Sequence, residues 1–151
     1  MRLRANGEEA WFLWESSDAG DFFWSNDEGV LAAEDWPTLL HKSDVLAGRV
    51  KIGEESFFDV DGAMRSLRTA SSVDPELVID IWNLLTDLFK TISGSNDRFH
   101  AELSDTYDCY FSKCEVAGFV GIQPGIISTQ NIKNAIRVLE DGASMINQAS
   151  R

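Results

Sequence analysis

The spacing of apolar residues changes along the chain, from short alternating runs in the first third to helical intervals after Asp74. Arg2-Leu3-Arg4 and a run over residues 9–15 flank Asn6-Gly7, a dipeptide that accepts the positive φ angles of a two-residue hairpin turn. In the second run Ala10, Phe12 and Trp14 alternate with Trp11, Leu13 and Glu15. Both faces stay apolar until the run ends, which predicts a central strand over residues 9–15 covered on each side. Asp18-Ala19-Gly20 reads as a turn, residues 21–25 as a further strand, and residues 26–29 as a second turn. Trp36-Pro37 predicts the start of a helix, because proline suits the first helical position. Leu39, Leu40 and Val45 mark its inner side, and Ala47-Gly48 its end. Residues 49–52 and 56–60 predict two more strands around Gly53, and Asp61 reads as the N-cap of a short helix through Met64 and Leu67.

The strongest helical signal follows. Asp74-Pro75 supplies a cap and first turn, Ser93-Gly94 a stop. Leu77, Ile81, Leu84, Leu85, Leu88 and Ile92 form a stripe widened by Val78, Trp82 and Phe89, while Asp80, Asn83, Asp87 and Lys90 fall opposite. A stripe this broad predicts a helix clamped between layers. Phe99, Leu103, Tyr107, Tyr110 and Cys114 fit a further helix, and Gly118, Gly121, Pro124 and Gly125 a loop. The last helix starts at Ser128 or Thr129, with Ile132, Ala135, Ile136, Leu139, Ala143 and Ile146 on one side. Strands early and helices late predict an α+β fold: an antiparallel β-sheet formed mainly by the N-terminal half, packed against C-terminal helices. At 151 residues the chain fits a single domain, 1–151.

Charge alters this picture more than composition does. The 44% hydrophobic and 11% aromatic content is that of a folded protein. Against 25 acids stand 13 bases, a formal net charge of −12. From Ala5 to Leu40 there is no Lys or Arg, yet Glu8, Glu9, Glu15, Asp18, Asp21, Asp27, Glu28, Glu34 and Asp35 all lie there, with Trp11, Trp14, Trp24 and Trp36. Such a charge disfavours direct contact with nucleic acid and with anionic membranes, and favours encounter with a basic partner. Edge strands ordinarily tolerate Lys as protection against mispairing, so strand structure does not explain the gap. A one-sign surface beside aromatic rings suits docking of a basic protein: field for encounter, rings for affinity. Glu15, Asp18, Asp21, Asp27, Glu28, Glu34 and Asp35 are the candidate contact residues, with Trp24 and Trp36 as candidate anchors. No apolar run approaches the ~20 residues of a membrane span; a cytoplasmic location is expected.

Catalytic signatures are sparse. The chain has no phosphate-binding glycine loop, no H-E-x-x-H and no G-x-S-x-G. Asp59-Val60-Asp61-Gly62 resembles the opening of a calcium loop, but the fifth and twelfth positions are Ala63 and Ala70. Glu54, Glu55, Asp59 and Asp61 could gather as a magnesium site for a small hydrolase, a rival reading. His41 and His100 have no accompanying nucleophile signal, and Cys109 and Cys114 read as buried free thiols. The expectation is no catalytic residue, no metal and no cofactor.

Three segments carry a resemblance to a known family. Residues 79–92 (IDIWNLLTDLFKTI) resemble the WNL-x-x-D helix of immunity proteins from bacterial contact-dependent growth inhibition systems, the CdiI type. Residues 57–67 (FFDVDGAMRSL) are similar to the aromatic-Asp-x-Asp step from strand to helix that precedes it there, and residues 132–146 (IKNAIRVLEDGASMI) to the closing helix. The resemblance implies a non-enzymatic antitoxin whose partner is a cognate toxin domain; the acidic charge adds the expectation that this partner is a basic RNase or DNase, inhibited by covering its substrate-binding surface. The alternative is an acidic nucleic-acid mimic that regulates a host nucleic-acid-binding protein.

Overall fold

Asn6 and Gly7 both take positive φ, 53° and 79°, so the expected two-residue turn forms. Across it β1 (Arg2–Ala5) and β2 (Glu8–Phe12) pair antiparallel, Arg2 opposite Trp11 and Ala5 opposite Glu8. A computed structural model describes residues 1–18, 20–43, 55–69, 74–117 and 126–151. The expected strand over residues 49–52, the helix end at Ala47-Gly48, and the glycine loop at 118–125 lie outside them, as do Ala19, Val45, Gly53, Glu54 and Ala70.

Beyond β2 the expected strand breaks. Pairing stops at Phe12; Leu13 intervenes, and β3 (Trp14–Ser17) pairs instead with β4 (Gly20–Phe23). The Leu13 carbonyl accepts from the Trp24 N–H at 2.9 Å, and the Trp24 carbonyl from the Leu31 N–H at 2.8 Å. From this junction one hairpin extends as β3–β4, another as β5 (Ser25–Asn26) with β6 (Gly29–Val30), and β7 (Ala32–Ala33) returns to pair with β2. Leu13, Leu31, Ala33 and Leu39 form a small core here beneath Trp11, Trp24 and Trp36. Alternation continues through the break, so the hydrophobic pattern does not betray it.

β8 (Phe57–Asp59) joins the other side of β1, giving the order β7-β2-β1-β8. The fold is α+β as expected; β7, β2 and β1 run antiparallel, and β8 is parallel to β1. The strand expected over residues 56–60 is shorter than that interval, because Val60 already opens helix α2 (Val60–Thr69), after α1 (Trp36–Lys42). The expected N-cap also moves. Asp59 Oδ1 accepts from the Gly62 N–H at 2.8 Å, whereas Asp61 accepts from the Asn6 and Gly7 N–H groups, each at 2.8 Å. Asp61 thus buckles helix α2 to the β1–β2 turn, filling two donors that the turn leaves unpaired.

Helix α3 (Pro75–Ser93) has the expected ends: the Asp74 side chain accepts from the Glu76 N–H, and Gly94 closes in the left-handed region at φ 68°. Val78, Ile81, Trp82, Leu85 and Leu88 are fully buried. Leu3, Ala5, Ala10 and Phe12 of the sheet join the same core; α4 (Ser104–Ala117) and α5 (Thr129–Ala149) pack on α3, and α2 and α5 also pack on β1. The Trp82 ring N–H donates to the Phe99 carbonyl at 2.9 Å, fixing the corner before α4. Gly142 lets α5 approach closely: a Cβ there would lie 2.2 Å from Leu85 Cδ1. Cys109 and Cys114 are free, as expected, and half-buried.

Candidate functional site

Period-two geometry decides where the acids of the β3–β4 hairpin point. Trp14 pairs with Phe23 and Ser16 with Asp21 on one face; Glu15 pairs with Phe22 on the other. The first face turns toward α3: Phe23 is buried, and its N–H donates to Thr91 Oγ1 at 3.2 Å. Asp21 is exposed on this side and accepts from the Ser16 hydroxyl at 2.6 Å. On the outer face lie half-buried Glu15 and exposed Phe22, with Phe22 against the Trp24 ring at 6.0 Å. Asp18 is exposed near the hairpin tip. Asp27 and Glu28 occupy the exposed β5–β6 turn, where the Glu28 N–H donates to Asn26 Oδ1. Glu34 and Asp35 are exposed between β7 and α1. Asp35 caps α1, and the Thr38 N–H holds its carboxyl below the ordinary range.

Three neighbouring projections from one junction therefore carry the seven candidate acids. Glu28 and Glu34 also border two surface troughs, of about 610 and 620 Å³, which share Ser150 and Arg151 at the end of α5. Five arginines pair with other acids. Arg2 and Arg4 both pair with Glu9, Arg2 with Glu55 at 3.4 Å, Arg4 and Arg65 with Asp59, Arg68 with Glu140, and Arg137 with Glu102 and Asp141. Among the described residues no Lys or Arg forms an ion pair with Glu15, Asp18, Asp21, Asp27, Glu28, Glu34 or Asp35. Glu9, counted by charge alone with the acidic stretch, is neutralised.

The aromatic residues divide differently from expectation. Trp24 and Trp36 are half-buried walls of the small core, Trp36 lying 5.6 Å from the Trp11 ring. The rings most open to a partner beside the acids are Trp14 and Phe22, each 37% exposed. A continuous strand would have set Trp14 beside buried Phe12; the break at Leu13 carries it onto the hairpin. The polar triplet Glu15-Ser16-Ser17 that follows is the sequence signal for this.

Asp87 is a further member that charge counting missed. It was expected on the outer face of α3, yet the β3–β4 hairpin covers it and leaves it 9% exposed. Burial pushes its carboxyl above the ordinary value; Lys90, 3.8 Å away, opposes this, Asp21 adds to it, and a hydrogen bond from Trp14 opposes it. A charge kept in such surroundings costs stability unless well paired.

The rival metal constellation is engaged otherwise. Asp59, Asp61 and Glu55 face the protein donors described above, and Glu54 lies outside the described residues. Among the described residues no group of three or more His, Cys, Asp or Glu is arranged to hold a metal ion, and no helix is long and apolar enough to cross a membrane. Comparison with protein-family models, with curated proteins and with solved structures gave no match to this chain.

Proposed function

We propose that this protein is an antitoxin of the contact-dependent growth inhibition type, acting in the cytoplasm by docking its acidic hairpins on a basic nuclease domain. The observation that carries the reading is the distribution of ion pairs: arginines neutralise acids around β1, β8, α2 and α5, while among the described residues the seven acids from Glu15 to Asp35 have no ion-pair partner. A nuclease needs a positive surface to hold phosphates, and an acidic surface laid over it excludes substrate by charge and shape. Exposed carboxylates accelerate encounter, whereas Trp14 and Phe22 supply the apolar contact that slows dissociation. No chemistry on this chain is required.

Stopped-flow association with the toxin domain encoded beside this gene tests the proposal. Exposed charges are screened beyond a Debye length of about 8 Å at physiological ionic strength, so the on-rate falls as salt rises. Asp27→Lys with Glu28→Lys slows association more than it speeds dissociation. An on-rate that is flat with salt, or untouched by the double reversal, refutes charge-driven docking; failure to bind or protect against that toxin refutes the antitoxin assignment.

A further inference from the structure

Strand β7 covers β2 only in part. It pairs with Trp11 and Phe12, so among the described residues Glu8, Glu9 and Ala10 have β1 on one side and no strand on the other. That open side meets the end of α5 across one of the two troughs, about 620 Å³ in volume. Ala10, Ala33 and Ile146 give it apolar walls, and Glu8 and Glu34 add exposed carboxylates. Glu9 is paired with Arg2 and Arg4, but among the described residues neither Glu8 nor Glu34 has an ion-pair partner.

Further acceptors surround these two acids. The Phe12 N–H donates to the Met1 carbonyl at 2.9 Å, so Phe12 bonds toward β1. Backbone groups alternate sides along an antiparallel strand, and the Glu9 carbonyl therefore turns to the open edge. At the end of α5 the Ser150 N–H and hydroxyl take the Ile146 and Asn147 carbonyls. The last two carbonyls of the helix lack helical partners by position, and the helix presents its negative end here. Acceptors set around an apolar wall suit one side chain above others. A guanidinium has five N–H donors, no acceptor and a permanent charge, and its methylene stem packs on apolar surface. An anion would meet two carboxylates and the negative end of a helix.

We propose that this trough is a pocket for an arginine side chain of the basic partner, its guanidinium set between Glu8 and Glu34 and its stem against Ala10, Ala33 and Ile146. The source of that arginine rests on the docking proposed above. The hairpin acids then govern encounter, whereas the pocket governs retention, since arginines seated in pockets are among the residues that hold a complex together. Arg151 also lines the trough, and among the described residues it forms no ion pair. Its like charge opposes an entering guanidinium.

The test titrates the full chain with the blocked tripeptide acetyl-glycyl-arginyl-glycinamide and follows amide NMR shifts. Its citrulline counterpart, of the same shape without the charge, is the control. The arginine peptide is expected to shift residues 8–10, 33–34 and 146–150 saturably. The citrulline peptide, and the parent peptide on Glu8→Gln with Glu34→Gln, bind about tenfold more weakly, the scale of one charge-assisted hydrogen bond. Asp18→Asn, at the tip of the β3–β4 hairpin, changes binding by less than about twofold, because an exposed charge beyond a Debye length is screened. Arg151→Gln tightens it. Equal binding of the two peptides by the parent chain overturns the proposal, as does the absence of any saturable shift. So does an effect of Asp18→Asn as large as that of the trough pair, which would mean a diffuse field and no pocket. These outcomes leave the antitoxin assignment standing, because binding of the toxin domain and protection against it decide that separately.

Discussion

Gly142→Ala probes the closest helix approach in the core, the seat of α5 on α3. The added Cβ would stand 2.2, 2.7 and 3.0 Å from Leu85 Cδ1, Cδ2 and Cγ, against the ~3.5–4.0 Å at which carbon atoms attract. Leu85 is fully buried in the main core, so its branched end has no vacant volume to turn into, and the helices must separate or Leu85 must leave its rotamer. Overpacking of this kind costs about 1–3 kcal/mol. Alanine recovers about 0.8–1.0 kcal/mol of helix propensity over glycine. The net expectation is a loss of up to about 2 kcal/mol, lowering Tm by about 2–8 °C at this chain length. Urea unfolding measures it, with the slope unchanged between variants. A double-mutant cycle with Leu85→Ala isolates the contact. Leu85→Ala alone costs about 2–5 kcal/mol through its cavity, but the methyl added by Gly142→Ala then occupies part of that space, so the pair is less destabilised than the sum of its members. If Gly142→Ala stabilises the protein by the full propensity gain, or the two changes add without coupling, the tight seat of α5 on α3 is refuted.

Two further outcomes follow from contacts that join distant segments. Asp61→Ala leaves the exposed Asn6 and Gly7 N–H groups to water and is expected to cost about 0.5–1.5 kcal/mol, read as a lower urea midpoint together with faster amide exchange at those two residues. Asp87→Asn removes a carboxylate whose folded-state value is raised, so its charge destabilises the fold increasingly as pH rises past the unfolded value near 3.9. The variant is expected to gain about 2–4 °C in Tm near neutral pH, on the order of 1 kcal/mol, and to lose that advantage in acid; a Tm below that of the parent at pH 7 would show that Lys90 and Trp14 outweigh the burial.

The elements that could be read from the sequence are those whose signals are local. The Asn6-Gly7 turn, the Asp74 and Gly94 ends of α3, the Pro37 start of α1 and the stripe of α5 each rest on residues within a turn or two of one another. Other features needed partners far along the chain. At the break the Leu13 carbonyl accepts from the Trp24 N–H, whose own carbonyl accepts from Leu31, and nothing next to Leu13 announces these partners. Asp61 precedes a glycine and invites a capping role, but the two N–H groups it serves are more than fifty residues away. Asp87 occupies the polar side of α3 by helical spacing, and only the overlying hairpin makes that position an interior one.

The acidic stretch divides along the same line, which bears on why its charge persists. Composition could show that residues 5–40 hold no base, but not whether bases from elsewhere fold back onto them. The described chain places five arginines on acids outside the candidate set, and each pairing joins the sheet or helices that build the core: Arg2 and Arg4 across β1, β2 and β8, Arg65 onto the start of α2, Arg68 from α2 to α5, Arg137 from α5 to the corner before α4. Surface pairs of this kind contribute roughly 0–1 kcal/mol each, so the fold would lose little by sharing one with the hairpins. Among the described residues Glu15, Asp18, Asp21, Asp27, Glu28, Glu34 and Asp35 have no cationic partner, and only the Asp35 cap of α1 and the Ser16 hydroxyl on Asp21 set a local gain against their mutual repulsion. Asp87 differs from them: it lies under the hairpin near Trp14 and Asp21, burial raises its carboxyl above the ordinary value, and Lys90 stands 3.8 Å away. The proposed docking on a cationic surface would account for that arrangement, because each carboxylate without an ion pair adds to the field that a basic partner would meet.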